Sequence, residues 1–148
     1  MAPPAATGLG EALPLSTQPL VLVADDEPRI TKLVSIALGG EGFRVITAQD
    51  GEEAVAAAAA APYDLILLDI RMPRLDGLQA AERIRAGRGP SAAAPIIALS
   101  AEPDEQGRAK ALESGMDDFL TKPIDAARLL TVAARFTERP NPATFAGE

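Results

Sequence analysis

The chain has 148 residues, of which 47% are hydrophobic and 3% aromatic, with no cysteine and no histidine. This length suits one domain with an aliphatic core, and the missing residue types exclude disulfides, thiolate metal sites and catalysis by the protein's own imidazole. The net charge of -7 argues against nucleic acid as a partner. No apolar run is long enough for a membrane span, and the N-terminus lacks the pattern of a secretory signal. We therefore expect a cytoplasmic protein that binds neither nucleic acid nor membrane.

Hydrophobic periodicity predicts five strands that alternate with five helices between two tails. Residues 1–19 are rich in Ala, Pro and Gly without a period, which is typical of a disordered leader, and residues 137–148 are predicted to form a flexible tail. Apolar runs predict strands at 20–24, 43–48, 64–69, 95–99 and 118–121. Helical spacing predicts helices from Pro28 to the Gly39-Gly40 stop, over 52–61, through 78–85, over 105–114, and from the cap Asp125 to Phe136.

Strands that alternate with helices predict an α/β fold in which a parallel sheet is covered by helices on both faces. In such folds a ligand binds beyond the carboxyl ends of the strands. Asp25 and Asp26 follow the first strand, Asp69 ends the third, Ser100 follows the fourth and Lys122 follows the fifth. We therefore expect these five side chains to meet at one edge of the sheet.

Adjacent carboxylates at one site repel each other unless a positive charge lies between them. With no histidine or cysteine, the ligand set is all oxygen, which favours Mg²⁺, with Mn²⁺ as the alternative. Lys122 is a point charge that fits a phosphate or a carboxylate, and the Ser100 hydroxyl and the backbone N–H of Ala101 can point at the same place. Together with the acids and Mg²⁺, these groups predict a site for a phosphoryl group. Asp69 is then a candidate nucleophile, because aspartyl phosphates are established covalent intermediates.

Four sequence motifs, "VLVADDEP", "LILLDIRMPRLDG", "ALSA" and "GMDDFLTKPI", together closely resemble the receiver domain of two-component response regulators. The resemblance covers residues 20–136. It implies a flavodoxin-like fold with five parallel strands in the order 2-1-3-4-5. It also implies that Asp69 is the phosphoacceptor, that Asp26 binds Mg²⁺ directly, and that Asp25 binds it largely through water.

The resemblance assigns further roles around this site. The backbone carbonyl of Arg71 would complete the metal contacts, and Lys122 would contact the phosphoryl oxygens. Ser100 would be the switch hydroxyl and Phe119 the switch aromatic. The peptide bond between Lys122 and Pro123 would be cis.

Two oppositely charged residues occupy positions that tune rates in receivers. Arg71 lies two residues after Asp69, and Glu102 lies two residues after Ser100. We predict that the Arg71 and Glu102 side chains pair over the mouth of the site. Such a pair would hinder water and slow the loss of the phosphoryl group.

The resemblance implies a signalling switch that catalyses only its own phosphorylation and dephosphorylation. Its phosphodonor would be a histidine kinase or a histidine phosphotransfer protein, which meets the helix that carries Arg29 and Lys32. The downstream target is a protein that the sequence does not identify.

Three other interpretations compete with a stand-alone regulator, which we expect because only a tail follows the last helix. The first is a receiver excised from a hybrid sensor kinase. The second is a haloacid-dehalogenase-type phosphohydrolase, which also uses an Asp nucleophile and Mg²⁺. Such enzymes have a D-x-D pattern after their first strand, and "DDE" in this chain does not provide it. The third is a degenerate receiver that only docks partners, which the presence of every key acid and of Lys122 argues against. A P-loop hydrolase is excluded because G-x-x-x-x-G-K-[ST] is absent.

Overall fold

The structure, a computed structural model, describes residues 18–101 and 105–137. The predicted leader up to residue 17, Glu102 and the tail from residue 138 lie outside the described residues. The strands are β1 (Leu20–Ala24), β2 (Arg44–Ala48), β3 (Leu65–Asp69), β4 (Ile96–Ser100) and β5 (Asp118–Thr121). The helices are α1 (Pro28–Gly39), α2 (Gly51–Ala60), α3 (Gly77–Ala86), α4 (Glu105–Glu113) and α5 (Ala126–Thr137). None of these helices has the length and apolar character that a bilayer crossing requires.

The five strands form one parallel sheet in the order β2-β1-β3-β4-β5, which confirms the predicted fold class. The central strands are buried on both faces, which explains their unbroken apolar sequences. One face packs against α2, α3 and α4, and the other packs against α1 and α5. The core is therefore two aliphatic layers divided by the sheet.

Several predicted element boundaries differ from the structure by one residue, and each difference has a local cause. The strand β2 begins after Phe43, because the Phe43 N–H instead donates to Leu38 O and closes the end of α1. The helix α2 begins at Gly51, since Asp50 is its N-cap. The strand β4 begins after Pro95, which has no N–H to donate to a sheet, and extends to Ser100. The helix α4 ends at Glu113, one residue earlier than predicted, where the Ser114 N–H contacts two carbonyls at once.

The strand register brings the predicted site residues together. Ala24 pairs with Leu68, so that Asp25 leaves β1 beside the end of β3. Asp69 pairs with Leu99, directly before Ser100. Ser100 in turn pairs with Thr121, directly before Lys122. The carboxyl edge of the sheet therefore holds acids from two strands next to a hydroxyl and an ammonium group.

Candidate functional site

A cavity of about 340 Å³ opens at this carboxyl edge. It is lined by Asp26, Glu27, Asp69, Ile70, Arg71, Ser100, Ala101 and Lys122. Most of the residues predicted for the site therefore border one space. Glu27 and Ile70 also line it, although the sequence argument gave them no role.

Three carboxylates converge beside the cavity. Oxygens of Asp25, Asp26 and Asp69 all lie within 4.8 Å of one another. Asp25 is 1% exposed and Asp69 is 5% exposed, whereas Asp26 is exposed to solvent. Asp25 Oδ1 accepts the Glu27 N–H at 2.9 Å, and Asp69 Oδ1 accepts the Arg71 N–H at 3.3 Å. The two buried acids are thus held by the backbone of the loops that follow them.

The ammonium group of Lys122 lies among these acids. Its Nζ is 2.9 Å from Asp25 Oδ2, 3.2 Å from Glu27 Oε1 and 3.3 Å from Asp69 Oδ1. From the sequence, a metal ion is expected to supply the compensating positive charge, and Lys122 is expected to contact a phosphoryl group. In the structure, Lys122 itself supplies positive charge to the buried acids. Glu27 also contacts this ammonium group, a role that was not predicted from the sequence. The only signal for Glu27 was its place as the third acid of "DDE".

The crowding of charges shifts two pKa values. Burial, and then the nearby Asp25 charge, raise the pKa of Asp69 from 3.8 to about 6, against the opposing attraction of Lys122. Burial alone lowers the pKa of Lys122, but its contacts with Asp25, Asp69 and Glu27 outweigh burial, so that the net pKa is raised. Lys122 is therefore a permanent cation, while the Asp69 charge is held at a cost.

The arrangement of the acids fits a hard divalent cation. Asp25 Oδ2 is buried and accepts no well-aligned hydrogen bond among the described residues, so the ion pair with Lys122 is its compensation. The three clustered acids offer oxygen ligands only, which suits Mg²⁺. Asp26 is exposed, so an ion held here would keep contact with water.

Of the two residues assigned to switching, Ser100 borders the cavity and Phe119 lies in the core. Ser100 lines the cavity, and its carbonyl accepts the Lys122 N–H at 2.7 Å. Phe119 is 6% exposed and packs in the core, with the Arg108 guanidinium 4.3 Å from the centre of its ring. The bond between Lys122 and Pro123 is cis. Ser100 therefore borders the site, whereas Phe119 packs in the core layer that faces α2, α3 and α4.

Arg71 lies at the mouth of the site, between the cavity and a neighbouring one of about 220 Å³. Its predicted partner Glu102 lies outside the described residues. The pairing of Arg71 with Glu102 therefore stays a prediction.

Comparison with known proteins adds an independent result. The family described as the response regulator receiver domain matches residues 21–134. The transcriptional regulatory protein ResD of Bacillus subtilis is 41% identical over 104 residues, which is 70% of this chain and 42% of ResD. The sensor protein GacS of Pseudomonas syringae is 40% identical over 127 residues, which is 84% of this chain and 14% of GacS. The chain thus spans less than half the length of these two relatives.

Solved structures share the fold over nearly their whole length. The receiver domain of the Pseudomonas aeruginosa sensor histidine kinase PA1611, which has a magnesium ion coordinated in its active site cleft, is 35% identical with a TM-score of 0.76. The alignment covers 82% of this chain and 99% of that one. The Vibrio cholerae chemotaxis protein CheY4 is 31% identical with a TM-score of 0.77, covering 81% and 99% of the two chains. With its fold, its acidic edge and these relatives in agreement, the chain belongs to the response regulator receiver domain family of two-component signalling.

Proposed function

We propose that Asp69 accepts a phosphoryl group from the phosphohistidine of a histidine kinase or a histidine phosphotransfer protein. One observation carries this proposal: Asp69 lies in an open cavity at the end of β3, with the Lys122 ammonium 3.3 Å from its Oδ1. The chain has no histidine, so that the phosphohistidine must belong to another protein. Histidine kinases form phosphohistidine from ATP, so we also propose a cytoplasmic location for the domain.

In the proposed reaction, an Asp69 carboxylate oxygen attacks the phosphorus atom and forms the new P–O bond. The P–N bond of the phosphohistidine breaks, and its electron pair stays on the imidazole nitrogen of the donor. Asp69 is ready for this role at neutral pH, because its pKa of about 6 leaves it mostly ionised. Lys122, Ser100 and Ala101 border the same cavity. We propose that the ammonium, the hydroxyl and the backbone N–H of these residues stabilise charge on the transferred oxygens.

The proposed ligands of a metal ion are Asp25, Asp26, Asp69 and the backbone carbonyl of Arg71. Mg²⁺ is the proposed ion, with Mn²⁺ as the alternative. When bound, it would neutralise negative charge that develops on the transferred group. The support for this assignment is the all-oxygen acid cluster and the magnesium ion named for the PA1611 receiver domain.

The product would change the contacts of Lys122. New phosphoryl oxygens on Asp69 would compete with Asp25 and Glu27 for the ammonium group, which now contacts both. We propose that Ser100 and Phe119 convert this change into altered binding of a downstream protein. The domain then acts as a switch whose own phosphorylation and dephosphorylation are the only reactions it catalyses.

The proposed setting is a stand-alone regulator, and the alternative is the receiver of a hybrid sensor kinase. The similarity to CheY4, whose chain is covered to 99%, supports the first. The similarity to GacS over 84% of this chain supports the second. Sequencing the complete gene distinguishes them.

Phosphotransfer from a panel of purified, radiolabelled phosphodonor proteins tests the proposed function. Asp64 is a suitable control, since it directly precedes β3, at the end opposite Asp69. Its Oδ2 accepts the Leu20 N–H, and the side-chain oxygen of asparagine can accept the same hydrogen bond. We expect label on wild type and on Asp64→Asn, but none on Asp69→Asn. Equal labelling of Asp69→Asn would show that Asp69 is not the acceptor.

A further inference from the structure

An ion pair outside the cavity joins the turn between β2 and α2 to the loop between β3 and α3. Asp50 Oδ2 lies 2.6 Å from Arg74 Nη1. Asp50 is 5% exposed, and its Oδ1 accepts the Glu53 N–H at 2.8 Å, which caps α2. The Glu53 N–H, and then Arg74, lower the pKa of Asp50 against the opposing effect of burial. The carboxylate that Arg74 contacts is therefore fixed and ionised.

The backbone of Arg74 is in an unusual conformation for an arginine. Its φ angle is +68°, in the left-handed region that L residues other than Asn and Asp rarely adopt. Glycine would adopt this conformation at no steric cost, but it could not make the ion pair. A strained residue that is held by a specific side-chain contact indicates that the contact determines the loop conformation.

The turn and the loop also touch through their backbones. A Cβ atom added to Gly51 would lie 1.9 Å from the carbonyl oxygen of Leu75, so no larger residue fits there without a shift. Leu75 is 5% exposed. The ion pair thus sits beside a close backbone contact, and the two together fix the middle of the loop.

The same loop begins at the candidate site. The Arg71 N–H donates to Asp69 Oδ1, and the Arg71 carbonyl is the proposed metal ligand. The end of β2, directly before the turn to α2, also reaches the other acid, because the Asp25 N–H donates to Ala48 O at 3.1 Å. The end of β2 therefore contacts the segment that carries Asp25, and the turn that follows it contacts the loop that begins after Asp69.

We propose that Asp50 and Arg74 are positioning residues that hold the Arg71–Leu75 loop in the conformation that binds the metal ion. The inference rests on the proposed function, since the ion belongs to it. Neither side chain borders the cavity, so both act through the loop rather than on the bound groups. Without the pair, the loop populates other conformations, and the affinity for Mg²⁺ falls.

The test compares Asp50→Asn, Arg74→Gln and the double variant with wild type. Asparagine is as good an N-cap as aspartate, so Asp50→Asn removes the charge and keeps the cap. We expect calorimetry to show Mg²⁺ binding that is roughly three- to tenfold weaker in each single variant. This is less than the roughly 10–100-fold loss typical when a direct partner of a metal ligand is removed, because the Arg74 side chain is 65% exposed and acts through the loop. In the metal-free protein, amide hydrogen exchange should become faster over residues 71–75 and stay unchanged in β1.

Two further substitutions separate positioning from a general structural role. Arg74→Gly relieves the backbone strain, so it should leave thermal stability equal or higher while it still weakens Mg²⁺ binding. Arg74→Lys keeps a positive charge and should restore part of the affinity. Arg88→Gln removes an exposed arginine of the α3–β4 loop, outside the Arg71–Leu75 loop, and should leave both Mg²⁺ affinity and exchange at the wild-type level.

The double variant decides whether the two residues act as a pair. If they do, the Mg²⁺ affinity of the double variant equals that of whichever single variant binds Mg²⁺ more weakly. If the fold-losses of the two single variants multiply in the double variant, the two residues act independently and the inference is overturned. Unchanged Mg²⁺ affinity in Asp50→Asn and Arg74→Gln, in a wild type that binds Mg²⁺, would also overturn it and leave the proposed function standing. A wild type that binds no Mg²⁺ would contradict both.

Discussion

Replacing Asp69 with asparagine should stabilise the metal-free protein at neutral pH. The Asp69 carboxylate is 5% exposed, and burial and the Asp25 charge raise its pKa to about 6. A raised pKa means that the folded state disfavours the ionised form. Asparagine has nearly the same shape and carries no charge, so that it removes this cost.

The size of the gain follows from the shift in pKa. Each pKa unit corresponds to 1.36 kcal/mol, and the change from 3.8 to about 6 sets an upper limit of about 3 kcal/mol. Solvent in the open cavity screens part of the repulsion, and we expect about 1–3 kcal/mol. The folded state binds the Asp69 proton more tightly than the unfolded chain, so wild type is at no disadvantage below about pH 4. Wild type then loses stability as the pH rises to about 6, and the gain of Asp69→Asn is complete above that pH.

Urea unfolding of both proteins in EDTA, at a series of pH values from 4 to 8, measures this gain. Glu82→Gln is the matched control, because it removes one negative charge from an exposed position of α3. The control should follow wild type, while Asp69→Asn should separate from both between pH 4 and pH 6. A constant difference across this range, or a variant less stable than wild type at pH 7, would refute the assignment of a buried, repelled charge to Asp69.

Three other predictions concern separate parts of the molecule. Asp26 is exposed, so Asp26→Asn should change the unfolding temperature little in EDTA. It should, however, reduce the rise in unfolding temperature that Mg²⁺ causes in wild type. An equal rise on adding Mg²⁺ to the two proteins would place the metal elsewhere. If Arg71 and Glu102 pair, then Arg71→Ala and Glu102→Ala should each speed loss of the phosphoryl group by up to about fivefold, since an exposed pair is worth at most about 1 kcal/mol. The double variant should be no faster than the single variants, and additive effects would exclude the pairing. The buried Ser91 hydroxyl accepts the Tyr63 N–H at 2.8 Å and donates to Ala61 O at 2.7 Å. Ser91→Ala should therefore lower the free energy of unfolding by about 1–3 kcal/mol, measured by chemical unfolding, without affecting Mg²⁺ binding. An unchanged free energy of unfolding would contradict this.

The fold was predictable because its signals are local. Unbroken apolar runs predicted the buried strands, and Pro28 and Asp125 marked helix starts that the structure contains. The meeting of Asp25, Asp69, Ser100 and Lys122 then followed from a general property of parallel sheets, since each lies at or just beyond the carboxyl end of its strand.

Contacts that a side chain makes outside its own helix, strand or loop were not predictable from local pattern. Lys122 and Glu27 are 95 positions apart, and nothing near either residue indicates that they touch. Arg85 was predicted as one position of a helix, yet it donates to Gly115 O at 2.9 Å and to Ala94 O at 2.6 Å. Such contacts depend on how helices and loops settle on the sheet, which residue spacing alone does not determine.

If Asp69 becomes an aspartyl phosphate, the modified residue can be mapped in the protein itself. The protein is incubated with Mg²⁺ and a small acyl phosphate, and borohydride then reduces any acyl phosphate to a stable alcohol before peptide mass spectrometry. We expect Asp69 alone to be converted to homoserine, and EDTA to prevent the conversion. Modification of another acid, or none at Asp69 in protein that has been phosphorylated, would contradict the proposed role of Asp69.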